Sequence, residues 1–215
     1  MLKVSIITPT LNNQTTIEDT LKSVKNQNYP NIEHIIIDGN SQDDTISIIK
    51  QYQHVTVLIS EQDKGIYDAL NKGLAVATGD IIGILNADDF YTDSEVIAKI
   101  AELFQKEKTN TLFADLVYTA KADSSKIVRY WKTGCFSLSK IYNGWAPPHP
   151  TFFVRREIYE RLGYYNPSFK IAGDYEMMLR LLLKNRVSTY YLPKNEDWRT
   201  KFRQPKKSPE SQSRR

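Results

Sequence analysis

The chain has 215 residues, 40% of them hydrophobic and 25% charged, with a formal net charge of +4. That length supports one domain with a sizeable core plus a tail, no apolar run approaches the ~18 residues of a membrane span, and the single cysteine, Cys135, excludes an intramolecular disulfide. The charge is uneven: residues 194–215 hold eight Lys/Arg against three acids, so the rest of the chain is close to neutral and lacks the basic face of a nucleic-acid-binding domain.

The N-terminal Met1-Leu2-Lys3-Val4 stretch turns polar too quickly for a secretory signal, and a reducing cytoplasm suits a lone cysteine. Residues 3–8 read as a β-branched strand ending in Thr8-Pro9-Thr10, and Thr15-x-x-Glu18 reads as a capping box ahead of a helix carrying Ile17, Leu21 and Val24. A buried strand over 32–37 closes on Asp38-Gly39, and Asp43/Asp44 can cap the helix that follows. A third strand spans 55–60, then a helix lined by Ile66, Leu70, Leu74 and Ala77 stops at Thr78-Gly79. The fourth strand, 81–85, delivers Asn86-Ala87-Asp88-Asp89 to one point; adjacent carboxylates repel, so a positive partner is expected there.

This alternation predicts a mainly parallel sheet with helices on both faces and a ligand crevice at the carboxyl ends of the strands, where Thr8, Asp38, residues 61–64 and Asp88/Asp89 would meet. Beyond it the pattern loosens. A helix is expected over 94–108, two paired strands over 111–118 and 126–131 forming a mixed sheet edge, helices over 156–162 and 173–184, and a last strand over 188–192. The boundaries drawn are a domain over 1–193 and a basic, disordered tail over 194–215.

Four stretches in this order, "VSIITPTLNN" (4–13), "IIIDGNSQDDT" (35–45), "SEQDKGIYDALNKGLAVATGDIIGILNADDFY" (60–91) and "AGDYEMMLRLL" (172–182), resemble the inverting family 2 glycosyltransferases. The resemblance implies an α/β GT-A fold, Rossmann-like, and transfer of a sugar from a nucleoside diphosphate sugar, with UDP favoured, to a hydroxyl of a glycan or lipid-linked glycan. It is similar in particular to enzymes that build bacterial surface polysaccharides, which implies a cytoplasmic protein with peripheral contact at the inner membrane face left open. The donor and the acceptor are the implied partners, with no nucleic acid.

By the same resemblance Asp38 hydrogen-bonds the nucleotide base, Thr8 and Pro9 border it, and Lys64 reaches the base or phosphate. The family pattern D-x-D-D stands here as Asn86-Ala87-Asp88-Asp89: Asn86 would face the ribose, and Asp88 with Asp89 would hold a divalent cation, Mn²⁺ or Mg²⁺, against the diphosphate. Asn86 departs from the family aspartate and adds no charge. Asp174 matches the catalytic base position, with His149 and Arg180 on the acceptor side. Structural roles compete with each: Asp38 with Ser41 can build a turn, Asp89 can stabilise the turn before Thr92-x-x-Glu95, Asp174 can cap a helix, His149 can be a packed histidine, and Arg180 can pair with an acid. After "YYLP" the chain lacks the family's glycine-containing closing segment. Two alternatives remain, a catalytically impaired nucleotide-sugar-binding scaffold and a sugar-phosphate nucleotidyltransferase. The latter calls for a glycine-rich basic loop after the first strand, and "TPTLNNQ" has neither glycine nor Lys/Arg.

Overall fold

The computed structural model describes residues 1–120, 123 and 125–193, together with the backbone of 200–203. The first half follows the alternation read from the sequence: β1 (Val4–Thr10), α1 (Ile17–Lys25), β2 (Ile32–Asp38), α2 (Thr45–Ile49), β3 (Val55–Ser60), α3 (Ile66–Val76) and β4 (Ile81–Ile84). Then come β5 (Asp89–Tyr91), α4 (Val96–Lys106), β6 (Thr111–Ala114), β7 (Leu116–Thr119), β8 (Ile127–Trp131) and α5 (Leu138–Tyr142). A 3-10 turn at His149–Thr151 precedes β9 (Phe153–Arg155), α6 (Arg156–Leu162) and α7 (Gly173–Leu179). The last of these runs on as a π-helical turn, Arg180–Lys184, before β10 (Thr189–Leu192) and β11 (Thr200–Arg203).

Seven strands form the central sheet in the order β10-β6-β9-β4-β1-β2-β3. All neighbours are parallel except β9, which runs antiparallel to both β4 and β6. The mixed character expected at an edge is therefore interior, because three residues delivered by the 3-10 turn enter between two strands already laid down. Successive residues of the strands face opposite cores, as a sheet covered on both sides requires. Ile7, Ile35 and Ile37 pack with Leu70, Leu74, Met177 and Leu181 from α3, α7 and the π-helical turn, whereas Val4, Ile6 and Ile81 pack with Val24, Ile97, Ile100 and Phe104 from α1 and α4. A third cluster joins Ile17, Leu21, Ile36 and Ile49.

Local chemistry differs from the sequence reading at several points. The cap of α1 is Thr16 rather than Thr15, and the Thr16 and Ile17 amides donate to the Asn13 carbonyl, each at 2.9 Å. The strand expected over 111–118 breaks at Asp115, whose buried carboxylate accepts from Tyr130 Oη (2.6 Å), the Thr133 amide (2.8 Å) and Tyr191 Oη (2.9 Å). There the chain leaves the central sheet for a second one, ordered β5-β11-β7-β8.

Beyond the boundary drawn at 193 one stretch of backbone is described. The backbone of Thr200–Arg203 is the strand that joins β5 to β7, antiparallel to the first and parallel to the second. The remainder of the tail expectation, 194–199 and 204–215, lies outside the described residues. A strand paired on both sides uses its amides in the ladder, so Lys201→Pro removes one of those bonds. Lys201→Pro in the full chain should lower the melting temperature measurably by differential scanning calorimetry, whereas a disordered tail would tolerate it unchanged.

At the amino ends of the strands, Glu33 is buried and ties three segments together. Its carboxylate accepts from Lys3 Nζ (2.7 Å), Ser5 Oγ (2.5 Å), the Thr78 amide (2.8 Å) and Thr78 Oγ1 (2.7 Å), and Ser5 Oγ accepts in turn from the Gly79 amide (2.9 Å). Burial would raise the Glu33 pKa, but the Lys3, Ser5 and Thr78 donors outweigh it and hold it at about 2, against an ordinary 4.5. A carboxyl depressed on folding stabilises fully above its unfolded pKa and loses that stabilisation as pH falls from about 4.5 towards 2. Glu33→Gln should cost on the order of 3 kcal/mol at pH 7 and nothing comparable at pH 2. Urea unfolding of both proteins across that range checks it, and parallel pH profiles would refute the assignment.

Candidate functional site

The carboxyl ends of β1 to β4 gather on one side of the sheet. Ladder bonds continue past the strands, Gly39 N–H to the Thr10 carbonyl (2.9 Å) and Leu85 N–H to the Ile7 carbonyl (3.0 Å), so the loops leave from fixed positions. Between them lies a cleft of ≈ 440 Å³ bordered by Pro9 and Thr10 at the end of β1, Leu11 and Asn13 after it, Asp63 and Gly65 before α3, and Asn86, Ala87 and Asp88 after β4. Gly65 opens α3 at φ 120°, ψ 173°, a backbone conformation that residues with a Cβ rarely adopt. A second cleft of ≈ 400 Å³ adjoins the first, sharing Ile66 and Asn86 with it, and is lined further by Tyr67, Tyr118, Trp131, residues 146–150, Asp174 and Tyr175.

Five of the expected residues lie on these walls: Pro9, Asn86 and Asp88 on the first cleft, and Asp174 and His149 on the second. Asp88 is half-buried, and that burial raises its pKa. Asp89 stands behind it and lines neither cleft. Its side chain is 1% exposed, Oδ2 accepts from Asn86 Nδ2 at 2.8 Å, and Oδ1 has no partner among the described residues. Burial first, then the charge of Asp88, push the Asp89 pKa well up, against the opposing pull of the Asn86 bond.

A hard cation that takes one carboxylate, phosphate oxygens and water fits Asp88. Asp89 would have to turn from Asn86 to join it. No group of three His, Cys, Asp or Glu side chains among the described residues could hold a metal ion without such outside ligands.

Asp174 lies in the first turn of α7 rather than at its cap, which is Ala172. Tyr67 Oη donates to Asp174 Oδ1 at 3.2 Å. The approach depends on Gly173, because a Cβ there would come within 2.8 Å of the Tyr67 ring. His149 Nε2 meets Tyr165 Oη at 2.7 Å, and Tyr165 in turn meets Tyr159 Oη at 3.3 Å. Burial lowers the His149 pKa while the charge of Asp174 works to raise it, so the imidazole is held towards its neutral form.

Four further expected residues, Thr8, Asp38, Lys64 and Arg180, line neither cleft. Thr8 is fully buried with Oγ1 3.1 Å from His34 Nε2, which turns its side chain into the core; Thr10 and Leu11 border the cleft instead. Lys64 is exposed and lines a different pocket, shared with residues 167–170. Arg180 is off both clefts: its guanidinium donates to Glu176 (2.9 Å from Nε) and to the carbonyls of Leu162, Gly163 (2.8 Å) and Tyr164 (2.6 Å), and so fastens the turn after α6. Asp38 is fully buried and organises its own turn, accepting from the Asn40 amide (3.1 Å), the Ser41 amide (3.0 Å), Ser60 Oγ (2.7 Å) and Ser41 Oγ. Sequence reasoning did not single out Asn13 or Asp63, the latter placed only within the span 61–64, nor Tyr118 and Trp131. The first two stand inside motifs it had quoted, but the last two belong to a hairpin that bears no motif.

The order in which the parallel strands are laid down reverses between β1 and β4, and Asp88 lies at that reversal. The model of the family "Glycosyl transferase family 2" matches residues 5–171. The chain belongs to that family. A PGL/p-HBAD biosynthesis glycosyltransferase of Mycobacterium bovis is 28% identical over 192 residues, covering 87% of this chain and 73% of that protein. A glycosyltransferase of Mycobacterium tuberculosis is 30% identical over 197 residues, covering 84% and 69%.

Among solved structures, Staphylococcus aureus TarS (residues 1–349) with UDP-GlcNAc superposes at a TM-score of 0.78 with 18% identity. A Pyrobaculum calidifontis mannosyltransferase with GDP-Man and Mn²⁺ gives 0.72 with 20% identity. These likenesses establish the GT-A fold. The family 2 chain spans 62% and 59% of those two solved chains.

Asn86→Asp would place three carboxyl groups within four residues and replace the amide that donates to Asp89. Without metal this variant should melt several degrees lower than the parent, and Mn²⁺ should restore more stability to it than to the parent. Asp88→Ala should abolish the Mn²⁺ response. Thermal shift with and without Mn²⁺ measures all three proteins, and an Asp88→Ala response equal to the parent's would remove Asp88 as the ligand.

Proposed function

We propose that the chain transfers a sugar, with inversion at the anomeric carbon, from a nucleoside diphosphate sugar in the first cleft to a hydroxyl presented in the second. The reading is carried by one observation: two adjoining clefts share Asn86 and Ile66, with Asp88 on the wall of one and Asp174 on the wall of the other. Inversion needs a base on the face opposite the departing diphosphate, and a carboxylate across the shared boundary can serve. Asp88 would hold a divalent cation, which when bound neutralises charge on the diphosphate as it departs.

The chain's own residues do the rest. Pro9 and Leu11 border the nucleotide, Asn86 offers an amide at the junction where the donor's sugar would lie, and Tyr67 orients the Asp174 carboxylate by donating to Oδ1. The preference for uridine comes from the family resemblance; TarS was solved with UDP-GlcNAc and the mannosyltransferase with GDP-Man, so both nucleotides belong in a screen. No helix among the described residues is long and apolar enough to cross a membrane.

Asp174→Asn keeps the shape of the side chain and still accepts from Tyr67, so folding and donor affinity should be unchanged. Sugar transfer should fall by ~10²–10⁴-fold, the usual contribution of a positioned general base. Calorimetric titration with UDP- and GDP-sugars, followed by product analysis by NMR, tests both halves. Parental turnover in the variant, or a product of retained configuration, would refute the mechanism. Donor binding without any product in the parent would point to the binding scaffold instead.

A further inference from the structure

The second cleft has a narrow chemistry. Four rings line it, Tyr67, Tyr118, Trp131 and Tyr175, along with three prolines and the apolar side chains of Leu70, Leu116 and Met178. Among the described residues its polar side chains are those of Asn86, His149 and Asp174 besides the tyrosine hydroxyls, and no Lys or Arg lines it. Among the described residues the charged group there is the Asp174 carboxylate, so an anion entering the cleft would face it with no cation in the described wall.

Trp131 and Tyr118 are held where they stand. They lie on the antiparallel pair β8 and β7, where Tyr118 is registered opposite Arg129 and Leu116 opposite Trp131. The Arg129 guanidinium sits 5.4 Å from the Tyr118 ring and 5.9 Å from the Trp131 ring, which braces both. Arg129 itself is not part of the cleft wall. An aromatic face carries partial negative charge, and the C–H hydrogens on the less polar face of a pyranose carry partial positive charge, so the two attract while the sugar's hydroxyls point to the rim.

Taking the second cleft as the acceptor side, we propose that it binds an uncharged pyranose ring, stacked by its C–H face on Trp131 and Tyr118. One hydroxyl would point towards Asp174, and acceptors carrying phosphate at the reacting end would be rejected. The reaction balances without a co-reactant: the acceptor O–H loses its proton to Asp174, the new bond forms between that oxygen and the anomeric carbon, and the nucleoside diphosphate leaves with the bonding pair. Trp131 and Tyr118 set which acceptors fit and take no part in that step.

The full chain with UDP and Mn²⁺ is probed by saturation-transfer NMR against methyl glucopyranoside, methyl galactopyranoside and methyl rhamnopyranoside at tens of millimolar, and against glucose 6-phosphate and glucose 1-phosphate. At least one neutral glycoside should show transfer concentrated on its C–H face and should not be displaced by either phosphate. Trp131→Ala should weaken that binding about tenfold, Trp131→Phe should largely keep it, and both should bind UDP as the parent does. Equal or tighter binding of a sugar phosphate would mean that Arg129 reaches the ligand, and would overturn the proposal in favour of a phosphate-bearing acceptor. Absence of binding by every neutral glycoside, or binding that survives Trp131→Ala, overturns it as well. Failure of the parent to bind any nucleotide sugar by calorimetry would instead count against the glycosyltransferase reading, whatever the glycosides do.

Discussion

Parallel pairing of β1 with β2 on one side and β4 on the other is the constraint from which the site follows. Parallel strands cannot be joined by tight turns, so each must be followed by a crossover that carries the chain back to the starting edge. Every functional loop then leaves from the same edge. The chain first builds outward through β2 and β3, then returns past β1 to lay down β4, and a crevice opens where the direction of building reverses. Pro9 to Asn13 and Asn86 to Asp88 are the two lips of that crevice. The isoleucines that alternate between two cores hold β1 and its neighbours so firmly that the loops can carry polar groups in costly positions.

Buried carboxyl groups at opposite ends of the sheet show how differently such a cost is met. Glu33 has every oxygen engaged by donors from two other segments, and its pKa falls. Asp89 has one side-chain donor among the described residues and a charged neighbour in sequence, and its pKa rises. The first is a fastening. The second leaves polar capacity unused at the base of a cleft, as is common where a fold serves a ligand rather than its own stability. Asn86 mediates between the two roles, since its amide donates inward to Asp89 while the residue lines both clefts.

Much of this was legible in the residues. β2 and β3 stand within one residue of their expected bounds, because a short run rich in β-branched side chains and ended by Asp-Gly or Ser-Glu has few other conformations open to it. Asp88 and Asp174 could be named because motifs fix them at strand and helix ends. Arg180 and Lys64 could not be placed, since a long flexible side chain is located by its tertiary partners, here the carbonyls of residues 162–164 for Arg180. β5 and β9 have three residues each, too few for any periodicity to register. The break at Asp115 did leave a trace, an acid inside an otherwise apolar run. Its meaning depended on Tyr130, Thr133 and Tyr191, which approach it only in the fold.

The antiparallel β9 has a bearing on how the chain is made. When residues 1–85 have left the ribosome, β1 to β4 and their helices can already assemble, since each strand pairs with one close in sequence. The outer edge of β4 then has no neighbour until Phe153–Arg155 emerges some seventy residues later, and β6 and β10 reach the sheet only through it. For that interval a short, wholly apolar strand edge is bare, the kind of surface that recruits another nascent chain. Phe153 then closes over Gly83, so tightly that a Cβ at that position would lie 2.3 Å from its ring. A wedge that arrives late and fits without slack makes completion of the sheet nearly all-or-none, and a chaperone that shields nascent edges would act on this protein chiefly between those two moments of synthesis.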